Sequence, residues 1–241
     1  MYIFNSPQGK KIMKKYNIDS FSFDDINKGK IILVDKPINW TSFDVVKYIR
    51  KSLQLKFKNK KIKVGHAGTL DPLATGLLII CIGKQTKNIS EYQDLAKTYT
   101  GKFKLGETTL SFDAETDVIE KFKYEHITIS DLKELANEFI GNSMQKPPIY
   151  SAIKKDGKRL YDYARENKEI EIDDREINIY NFEILDFISP YIEFKIKCSK
   201  GTYIRTVAND FGKRLNSGSY LYELRRTKIG RFSVLNAIDI K

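Results

Sequence analysis

The sequence is poor in the residues that build disulfide frameworks and metal centres. It has two cysteines and two histidines in 241 residues. Cys81 and Cys198 lie in apolar or alternating stretches, which predicts reduced, buried thiols of the kind found in cytoplasmic proteins. His66 and His126 are not grouped with cysteines or carboxylates at ligand spacing. The sequence therefore argues against a catalytic zinc site, and we expect no metal.

Long apolar runs and the common cofactor signatures are also missing. No apolar stretch reaches the length of a membrane span, and the first residues lack the apolar core of a signal peptide. We therefore expect a cytoplasmic protein with no membrane partner. A phosphate-binding loop is not formed around Gly83, because Leu78 and Gln85 replace its required glycine and hydroxyl residue. No G-x-S-x-G elbow is present, which weakens a serine hydrolase interpretation. The chemistry is therefore expected to need no cofactor.

Acidic residues are outnumbered by basic ones. The chain has 42 Lys and Arg against 31 Asp and Glu, a net charge of +11, and this excess favours a polyanionic partner. The run 50–63 holds seven basic residues and no acid, and it fits an RNA contact or a solvated loop equally well. The chain also has 14 Tyr and 14 Phe. Basic side chains beside tyrosines suit single-stranded or looped RNA, because rings can stack on exposed bases.

Hydrophobic patterning predicts one α+β domain, since strands and helices alternate irregularly and without βαβ repetition. Residues 1–28 are polar and mixed and are predicted to be a partly ordered N-terminal extension. A helix is predicted to start at Thr41 or Ser42 and to run to about Leu53, with Phe43, Val46, Ile49 and Leu53 on its buried face. The other predicted elements are strands at 30–34, 77–82, 97–105 and 191–199, helices at 132–140 (ended by Gly141) and 204–215, a short helix near 165, and a strand pair at 219–234.

Asp71 stands in a turn that is dense in glycine and proline, directly before the apolar stretch Leu77–Ile82. The stretch is short and rich in Leu and Ile, so it predicts a buried strand. A carboxylate on a rigid turn against a buried strand is displayed as a nucleophile or a general acid or base would be. An Asp-Pro turn whose side chain caps local backbone explains the same residues. Composition alone favours that structural interpretation.

Five blocks of sequence, in order from about residue 29 to 233, resemble the TruB family of tRNA pseudouridine-55 synthases. The blocks are D-K-P-I-N-W-T-S-F-D-V-V (35–46), G-H-A-G-T-L-D-P-L-A-T-G-L-L (65–78) with K-T-Y (97–99) after it, Q-K-P-P-I-Y-S-A-I-K-K-D-G-K-R-L-Y-D-Y-A-R (145–165), C-S-K-G-T-Y-I-R-T-V-A-N-D-F-G (198–212), and L-R-R-T-K-I-G-R-F (224–232). The resemblance implies the pseudouridine synthase catalytic fold, a mixed and largely antiparallel sheet flanked by helices and loops, over residues 29–241.

The resemblance also implies an activity: isomerisation of uridine to pseudouridine at position 55 in the T-loop of tRNA, after the base is flipped out. The implied partner is the T-arm stem-loop of tRNA. We expect a monomer that needs no obligatory protein partner. The chain ends at Lys241, soon after the last block, so we expect no full C-terminal RNA-binding domain of the PUA type.

Roles follow from the resemblance residue by residue. Asp71 corresponds to the catalytic nucleophile, and attack on the sugar and attack on the base ring both stay open. Tyr99 corresponds to the tyrosine that stacks on the target uracil and assists proton removal. Arg205 corresponds to the arginine that pairs with the aspartate, and a nearby opposite charge favours an ionised carboxylate. The resemblance also implies five substrate-binding residues. His66 enters the RNA loop, and Lys36 and Pro37 line and support the site. Tyr203 shapes the pocket, and Leu224 forms its wall.

One departure and one alternative qualify this interpretation. Asn39 replaces the usual glycine of the first block, and Asn tolerates left-handed backbone better than most residues, so we expect the turn to survive. A non-catalytic RNA-binding protein or tRNA-folding chaperone on the same fold is the alternative function. The combination of Asp71, Tyr99 and Arg205 favours the enzyme, because a binding protein does not need it.

Overall fold

The computed structural model describes residues 21–58, 61–166, 168 and 170–240. The helices are α1 (Phe23–Lys28), α2 (Ser42–Phe57), α3 (Ile89–Asp94), α4 (Ile129–Glu138), α5 (Leu160–Arg165) and α6 (Ile204–Arg214). The strands are β1 (Lys30–Lys36), β2 (Val64–His66), β3 (Thr75–Ile82), β4 (Lys97–Leu105), β5 (Glu107–Thr109), β6 (Val118–Lys121), β7 (Gly141–Gln145), β8 (Lys154–Lys155), β9 (Lys158–Arg159), β10 (Arg175–Ile188), β11 (Tyr191–Cys198), β12 (Ser219–Ile229), β13 (Phe232–Ser233) and β14 (Ile238–Asp239). None of the described helices is both long enough and apolar enough to pass through a bilayer.

The main sheet has the strand order β14-β1-β3-β12-β4-β11-β10-β7, with β13 paired to β12 and β2 paired to β3. The β1–β14 and β3–β12 pairs are parallel, and the other pairs of this sheet are antiparallel. This mixed, largely antiparallel sheet flanked by helices confirms the predicted α+β fold. Adjacent strands β3 and β12 come from distant parts of the chain, so residues near 75 and 225 meet at the middle of the sheet.

Apolar side chains form three clusters around the sheet. The largest packs α4 and α6 on β4, β10 and β11, and its centre is a group of rings that includes Phe103, Phe194 and Phe211. The second packs α1 and α2 on β1 and β3, and the third covers the opposite face of β3. Because β3 contributes to both faces, its side chains from Leu77 to Ile82 are fully buried, as the apolar run predicts.

Helix α2 is longer than predicted, and in its first turn different side chains from the predicted ones face the core. The Thr41 hydroxyl caps the helix by accepting from the Asp44 NH. The Asp44 carboxylate accepts from the Thr41 NH, which completes a capping box. The helix continues to Phe57 instead of ending near residue 53. The prediction that Phe43 faces the core is wrong, because its side chain is 60% exposed. Ser42 and Val45 take the buried positions, in phase with the buried side chains further along the helix.

The end of helix α4 differs from the prediction, and the end of the predicted N-terminal extension lies close to the first described residue. Helix α4 ends at Glu138, so Gly141 does not terminate it; with a φ of +115°, Gly141 opens β7. The predicted N-terminal extension falls mainly on residues 1–20, which lie outside the described residues. Within residues 21–28, Ile26 of α1 is 3% exposed and belongs to the second cluster. The boundary of the extension stays a prediction.

Gly76 occupies the closest approach between β3 and β12. Its φ is +105°, and a Cβ atom there would lie 2.3 Å from the Arg226 carbonyl oxygen. Gly76→Ala is therefore expected to lower the free energy of unfolding by ~3 kcal/mol or more. Gly157→Ala is the matched control, since φ is +80° and nothing lies within 4 Å of its Cβ position. Backbone strain alone should cost Gly157→Ala about 1–2 kcal/mol. Equal losses in denaturant unfolding would contradict the close approach.

Candidate active site

The loop between β2 and β3 carries Asp71, and buried side chains hold the backbone on both sides of it. Lys36 is fully buried and donates from Nζ to the Pro72 carbonyl at 3.2 Å. The Asn39 backbone NH donates to the same carbonyl at 2.9 Å. Asn39 has a φ of +65°, which confirms that asparagine keeps the left-handed turn. Ser42 Oγ accepts from the Leu70 NH at 2.8 Å and donates to the Leu70 carbonyl at 3.1 Å.

Arg226 holds the other part of this loop from β12. Its Nε donates to the Leu77 carbonyl at 2.8 Å, Nη1 to the Thr69 carbonyl at 3.3 Å, and Nη2 to the Gly68 carbonyl at 3.0 Å. Arg226 is 1% exposed, so these carbonyls replace the water that the guanidinium loses on burial. We call residues 67–74, between β2 and β3, the aspartate loop. It is fixed to β1, α2 and β12 by bonds to its backbone.

The Asp71 carboxylate faces a buried cation. Arg205 Nε lies 3.0 Å from Asp71 Oδ2 and 3.5 Å from Asp113 Oδ2, so one guanidinium serves two carboxylates. The Arg205 side chain is 4% exposed, whereas the Asp71 side chain is 38% exposed. Arg205 Nη1 also donates to the Ser111 carbonyl at 3.3 Å. Asp71 is therefore paired on its protein side and open on its solvent side.

Asp113 is a buried member of this network that sequence patterns did not indicate. Its Oδ1 accepts from Ser111 Oγ at 2.6 Å and from the Glu115 NH at 2.9 Å. Burial raises the pKa of Asp113, and the neighbouring Arg205 charge acts in the opposite direction. The bonds to Asp113 fix its carboxylate against Arg205. We infer that Asp113 orients the guanidinium, while Asp71 remains available to a substrate.

A cavity of about 640 Å³ opens in front of Asp71. Tyr99, Arg205, Leu224 and Arg226 are among the residues that line it. Tyr99 lies on β4 directly across from Arg226 on β12. Burial raises the pKa of Tyr99, which keeps the phenol neutral, and the Arg226 charge acts in the opposite direction. The cavity therefore presents a carboxylate, a cation, an aromatic ring and an aliphatic wall to one bound group.

Tyr203 lines the same cavity from the first turn of α6, where it occupies the N-cap position. The Gln145 amide binds its backbone twice: Gln145 Nε2 donates to the Tyr203 carbonyl at 3.1 Å, and the Tyr203 NH donates to Gln145 Oε1 at 2.8 Å. Burial raises the pKa of Tyr203. The two Gln145 bonds join the start of α6 to the first residue of the segment 145–165.

The structure thus brings five of the sequence-predicted residues to one cavity and places three elsewhere. The cavity residues are Asp71, Tyr99, Arg205, Tyr203 and Leu224. Lys36 and Pro37 lie behind the aspartate loop, and Lys36 Nζ donates to the Pro37 carbonyl at 3.0 Å. His66 is half-buried on β2 and is not among the residues that line the cavity. Burial lowers the pKa of His66.

Sequence reasoning missed the residues that hold this site, although signals were present for some. Ser42 stands in the T-S pair of the first block, Gln145 begins the Q-K-P-P block, and Arg226 is the second arginine of L-R-R. These blocks located the positions but did not reveal that their side chains bind loop backbone. Asp113 falls between the blocks, in a stretch with several acids, so nothing singled it out.

Lys36 gives the site a measurable pH dependence. Burial lowers the pKa of Lys36 to about 8, although nearby Asp71 acts in the opposite direction. An unfolded lysine titrates near ~10.4, so between these values the unfolded chain binds a proton that the folded chain does not. The free energy of unfolding should therefore rise with pH from about 8 to ~10.4, by about 3 kcal/mol for this group. Denaturant unfolding of Lys36→Met should lack this rise; an unchanged pH profile would contradict the assignment.

The described part of the chain contains no group of three or more His, Cys, Asp or Glu side chains that could hold a metal ion. Cys81 and Cys198 are both buried free thiols, as predicted. Burial raises the pKa of each thiol to about 11, so neither is a nucleophile at neutral pH. The expectation of chemistry without metal or cofactor stays a prediction, and it is tested below.

This chain shares its fold with solved structures of other proteins. It is similar to a solved chain of a Cbf5–Nop10–Gar1 complex, with a TM-score of 0.66 and 26% identity over 92% of this chain and 56% of that one. The archaeal box H/ACA Nop10–Cbf5 complex shows the same fold, with a TM-score of 0.62 and 24% identity over 89% of this chain and 52% of that one. The chain therefore spans little more than half of either solved chain.

Sequence comparison gives the family. The profile of TruB family pseudouridylate synthases (N terminal domain) matches residues 50–204. The chain is 55% identical to tRNA pseudouridine synthase B of Flavobacterium johnsoniae, over 88% of this chain and 93% of that protein. It is 50% identical to the protein of the same name from Chloroherpeton thalassium, over 87% of this chain and 86% of that protein. The chain belongs to the TruB family, as the five blocks predicted.

Proposed function

We propose that this protein converts uridine to pseudouridine in tRNA, at position 55 of the T-loop. The observation that carries the proposal is the ion pair of Asp71 with Arg205 at 3.0 Å, at the edge of a cavity that Tyr99 also lines. The carboxylate lies beside a buried cation and is itself 38% exposed, so a bound nucleoside can reach it. The relatives named tRNA pseudouridine synthase B support tRNA as the substrate.

The reaction is an isomerisation, so its atoms balance without a co-reactant. Asp71 attacks the target nucleoside, the C1′–N1 bond breaks, and the uracil turns while it stays in the cavity. A C1′–C5 bond then forms, the bond between Asp71 and the nucleoside breaks, C5 loses its proton and N1 gains one. Tyr99 stacks on the uracil and assists removal of the C5 proton. Arg205 balances the charge of the Asp71 carboxylate before attack and after its release.

The target uridine must leave its stack before it can enter the cavity, which costs a few kcal/mol. We propose that Leu224 and Tyr203 enclose the extruded base as apolar and aromatic walls. Lys36 and Pro37 act behind the aspartate loop, where the Lys36 bonds to Pro72 and Pro37 fix its position. His66 is proposed to contact RNA outside the cavity, in the loop that the uridine leaves.

The segment from Gln145 to Arg165 is proposed to grip the RNA. It contains the β8–β9 hairpin and α5, and Ser151, Ala152 and Ile153 of this segment line the cavity. Lys154 and Arg159 of the hairpin are exposed. The segment therefore combines a cavity wall with exposed cations, an arrangement suited to holding phosphates around an extruded base.

Mass mapping of tRNA after a pseudouridine-specific derivatisation tests the proposal. Unmodified tRNA treated with the protein should gain one pseudouridine, at position 55. The control is the same tRNA treated with Asp71→Asn, which should gain none. A protein that binds the tRNA without modifying it would support the alternative, a non-catalytic RNA-binding protein or folding chaperone, and would overturn the enzyme. Modification at another position would overturn the site assignment.

Chelation tests the expectation that no metal takes part. Pseudouridine formation on a T-arm stem-loop should keep its rate in the presence of excess EDTA, because the isomerisation is proposed to need no co-reactant. The stem-loop should be refolded in monovalent salt, so that chelation does not change the RNA. A loss of activity that zinc restores would contradict the mechanism.

The oligomeric state stays a prediction as well. We propose a monomer that acts without an obligatory protein partner. Sedimentation of the purified protein with and without tRNA checks this. Activity that appears only at concentrations where dimers form would contradict it.

A further inference from the structure

A shallow groove lies beside the start of α2, and its residues are separate from those that line the cavity. Its volume is about 360 Å³. We name it the α2 groove, and the residues that line it are Asn39, Trp40, Asp44, Lys47, Tyr48 and Lys51. None of these residues was assigned a role in catalysis above, and the sequence blocks gave no role to its aromatic or basic side chains.

Two aromatic rings form the apolar part of the α2 groove. Trp40 and Tyr48 are both half-buried, with ring centroids 5.8 Å apart and planes at 71°. Trp40 also packs against the apolar cluster under α2, so its ring is held in place before any ligand arrives. Fixed aromatic rings at a surface are stacking platforms for planar groups, and nucleobases stack on them without regard to sequence.

The charged side chains of the α2 groove carry a net positive charge, because two lysines accompany one aspartate. Lys47 and Lys51 are exposed and lie one helical turn apart, so their side chains share a face of α2. The Asp44 carboxylate is already engaged, because its Oδ2 accepts from the Thr41 NH at 2.9 Å and from Thr41 Oγ1 at 2.6 Å. The two lysines therefore remain to meet an anion beside the rings.

The α2 groove is connected directly to the aspartate loop. The Trp40 carbonyl accepts from Lys36 Nζ, and the same ammonium donates to the Pro72 carbonyl at 3.2 Å. The Asn39 NH donates to Pro72 as well, at 2.9 Å. One lysine thus joins the backbone of the groove to the residue that follows Asp71. A ligand in the groove would lie close to whatever enters the cavity.

We propose that the α2 groove binds one unpaired nucleotide of the substrate RNA, outside the cavity that takes the target uridine. The base stacks on the Trp40 ring with the Tyr48 ring beside it, and the adjoining phosphates lie against Lys47 and Lys51. An acidic peptide would match the lysines but has no planar group for the rings, so RNA fits the whole groove better. The inference rests on the proposed function, because it takes tRNA as the ligand.

Trp40 provides a direct signal, since it is the single tryptophan of the chain. Titration of the protein with a T-arm stem-loop should quench tryptophan fluorescence in a saturable manner. Lys47→Ala with Lys51→Ala should weaken binding and lower the log–log salt slope by about 1.4–1.8, for two lost phosphate contacts. The matched control is Lys84→Ala with Lys87→Ala, two exposed lysines near α3 that should leave the slope unchanged. Trp40→Ala should weaken binding by about tenfold or more, and Trp40→Phe should restore most of it.

The outcomes separate the groove from the proposed function. Pseudouridine formation without fluorescence quenching, or with an unchanged salt slope in the Lys47 and Lys51 variant, would overturn the groove and leave the enzyme intact. Equal quenching by polyglutamate would overturn it in favour of an acidic peptide. If Trp40→Ala is unfolded by circular dichroism, the lysine pair decides the question, because both side chains are exposed. A wild-type protein that quenches but forms no pseudouridine would support RNA binding and overturn the enzyme.

Discussion

Asp71→Asn is expected to abolish pseudouridine formation, with a single-turnover rate lower by about 10⁴-fold or more. The amide keeps the shape of the side chain but is not a nucleophile, and it no longer carries the charge that pairs with Arg205 at 3.0 Å. The loop itself should keep its position, because Lys36, Ser42 and Arg226 bind its backbone and not the carboxylate. The substitution should therefore remove the chemical step without unfolding the loop.

The affinity of Asp71→Asn for a T-arm stem-loop should stay within about tenfold of the wild type, since phosphate contacts dominate RNA binding. Asp117→Asn is a matched control: Asp117 is exposed, and the same isosteric change there should leave the rate unaltered. Substantial residual turnover by Asp71→Asn in a preparation free of wild-type protein would contradict the nucleophile assignment. Loss of RNA binding in parallel with turnover would indicate a folding defect instead.

Arg226→Met is expected to have the second largest effect, on stability and on rate together. It leaves the carbonyls of Gly68, Thr69 and Leu77 without their donor in a buried place. Each unsatisfied buried group costs about 1–3 kcal/mol, so the free energy of unfolding should fall by ~3 kcal/mol or more. The aspartate loop is then free to shift, and a displacement of about 1 Å can cost ~100-fold in rate.

The neighbouring arginine separates these two effects. Arg225 forms a bidentate pair with Asp35, at 2.9 and 2.6 Å, and this pair joins β12 to β1 without touching the loop. Arg225→Met should lower the free energy of unfolding, because it leaves the largely buried Asp35 without that partner. Its rate at full occupancy should fall much less than that of Arg226→Met. If Arg225→Met and Arg226→Met lose the same stability and the same rate, then Arg226 affects the rate only by stabilising the fold.

Arg226→Lys tests whether charge or geometry matters at this position. A lysine keeps the cation but replaces the planar fork that reaches three carbonyls. Partial recovery of stability with little recovery of rate is expected, since the loop needs all three bonds to stay fixed. Complete recovery of the rate would mean that the positive charge, and not the position of the loop, is what the reaction requires.

The reactive groups were assigned through the family resemblance and not through composition. Composition alone favoured a structural role for Asp71, and Arg205 was assigned because G-T-Y-I-R resembles a family block. That these residues meet could not be read from spacing, because Asp71 precedes β3 and Arg205 lies on α6, and only the tertiary structure brings their side chains within 3.0 Å. The misplaced Phe43 has a local cause: the periodicity of α2 fits two phases at its first turn, and the buried Ser42 selects the other one.

Supporting residues were harder to predict for a physical reason. Ser42 and Arg226 act on backbone carbonyls and amides, and backbone groups have no sequence signature of their own. A buried lysine or arginine whose partner is a carbonyl therefore looks the same in sequence as an exposed one. Asp113 is a related case, since its role depends on the position of Arg205 from a distant helix.

The carbonyl bonds that hold the aspartate loop have a consequence for behaviour in acid. A peptide carbonyl does not titrate in water, and Lys36, whose pKa burial lowers to about 8, is already charged below that pH. The loop should thus keep its shape at a pH where carboxylates take up protons and the pairing around Arg205 weakens. Loss of rate on the acid side should then be reversible and free of hysteresis, and hydrogen exchange of the Leu70 amide should stay slow throughout.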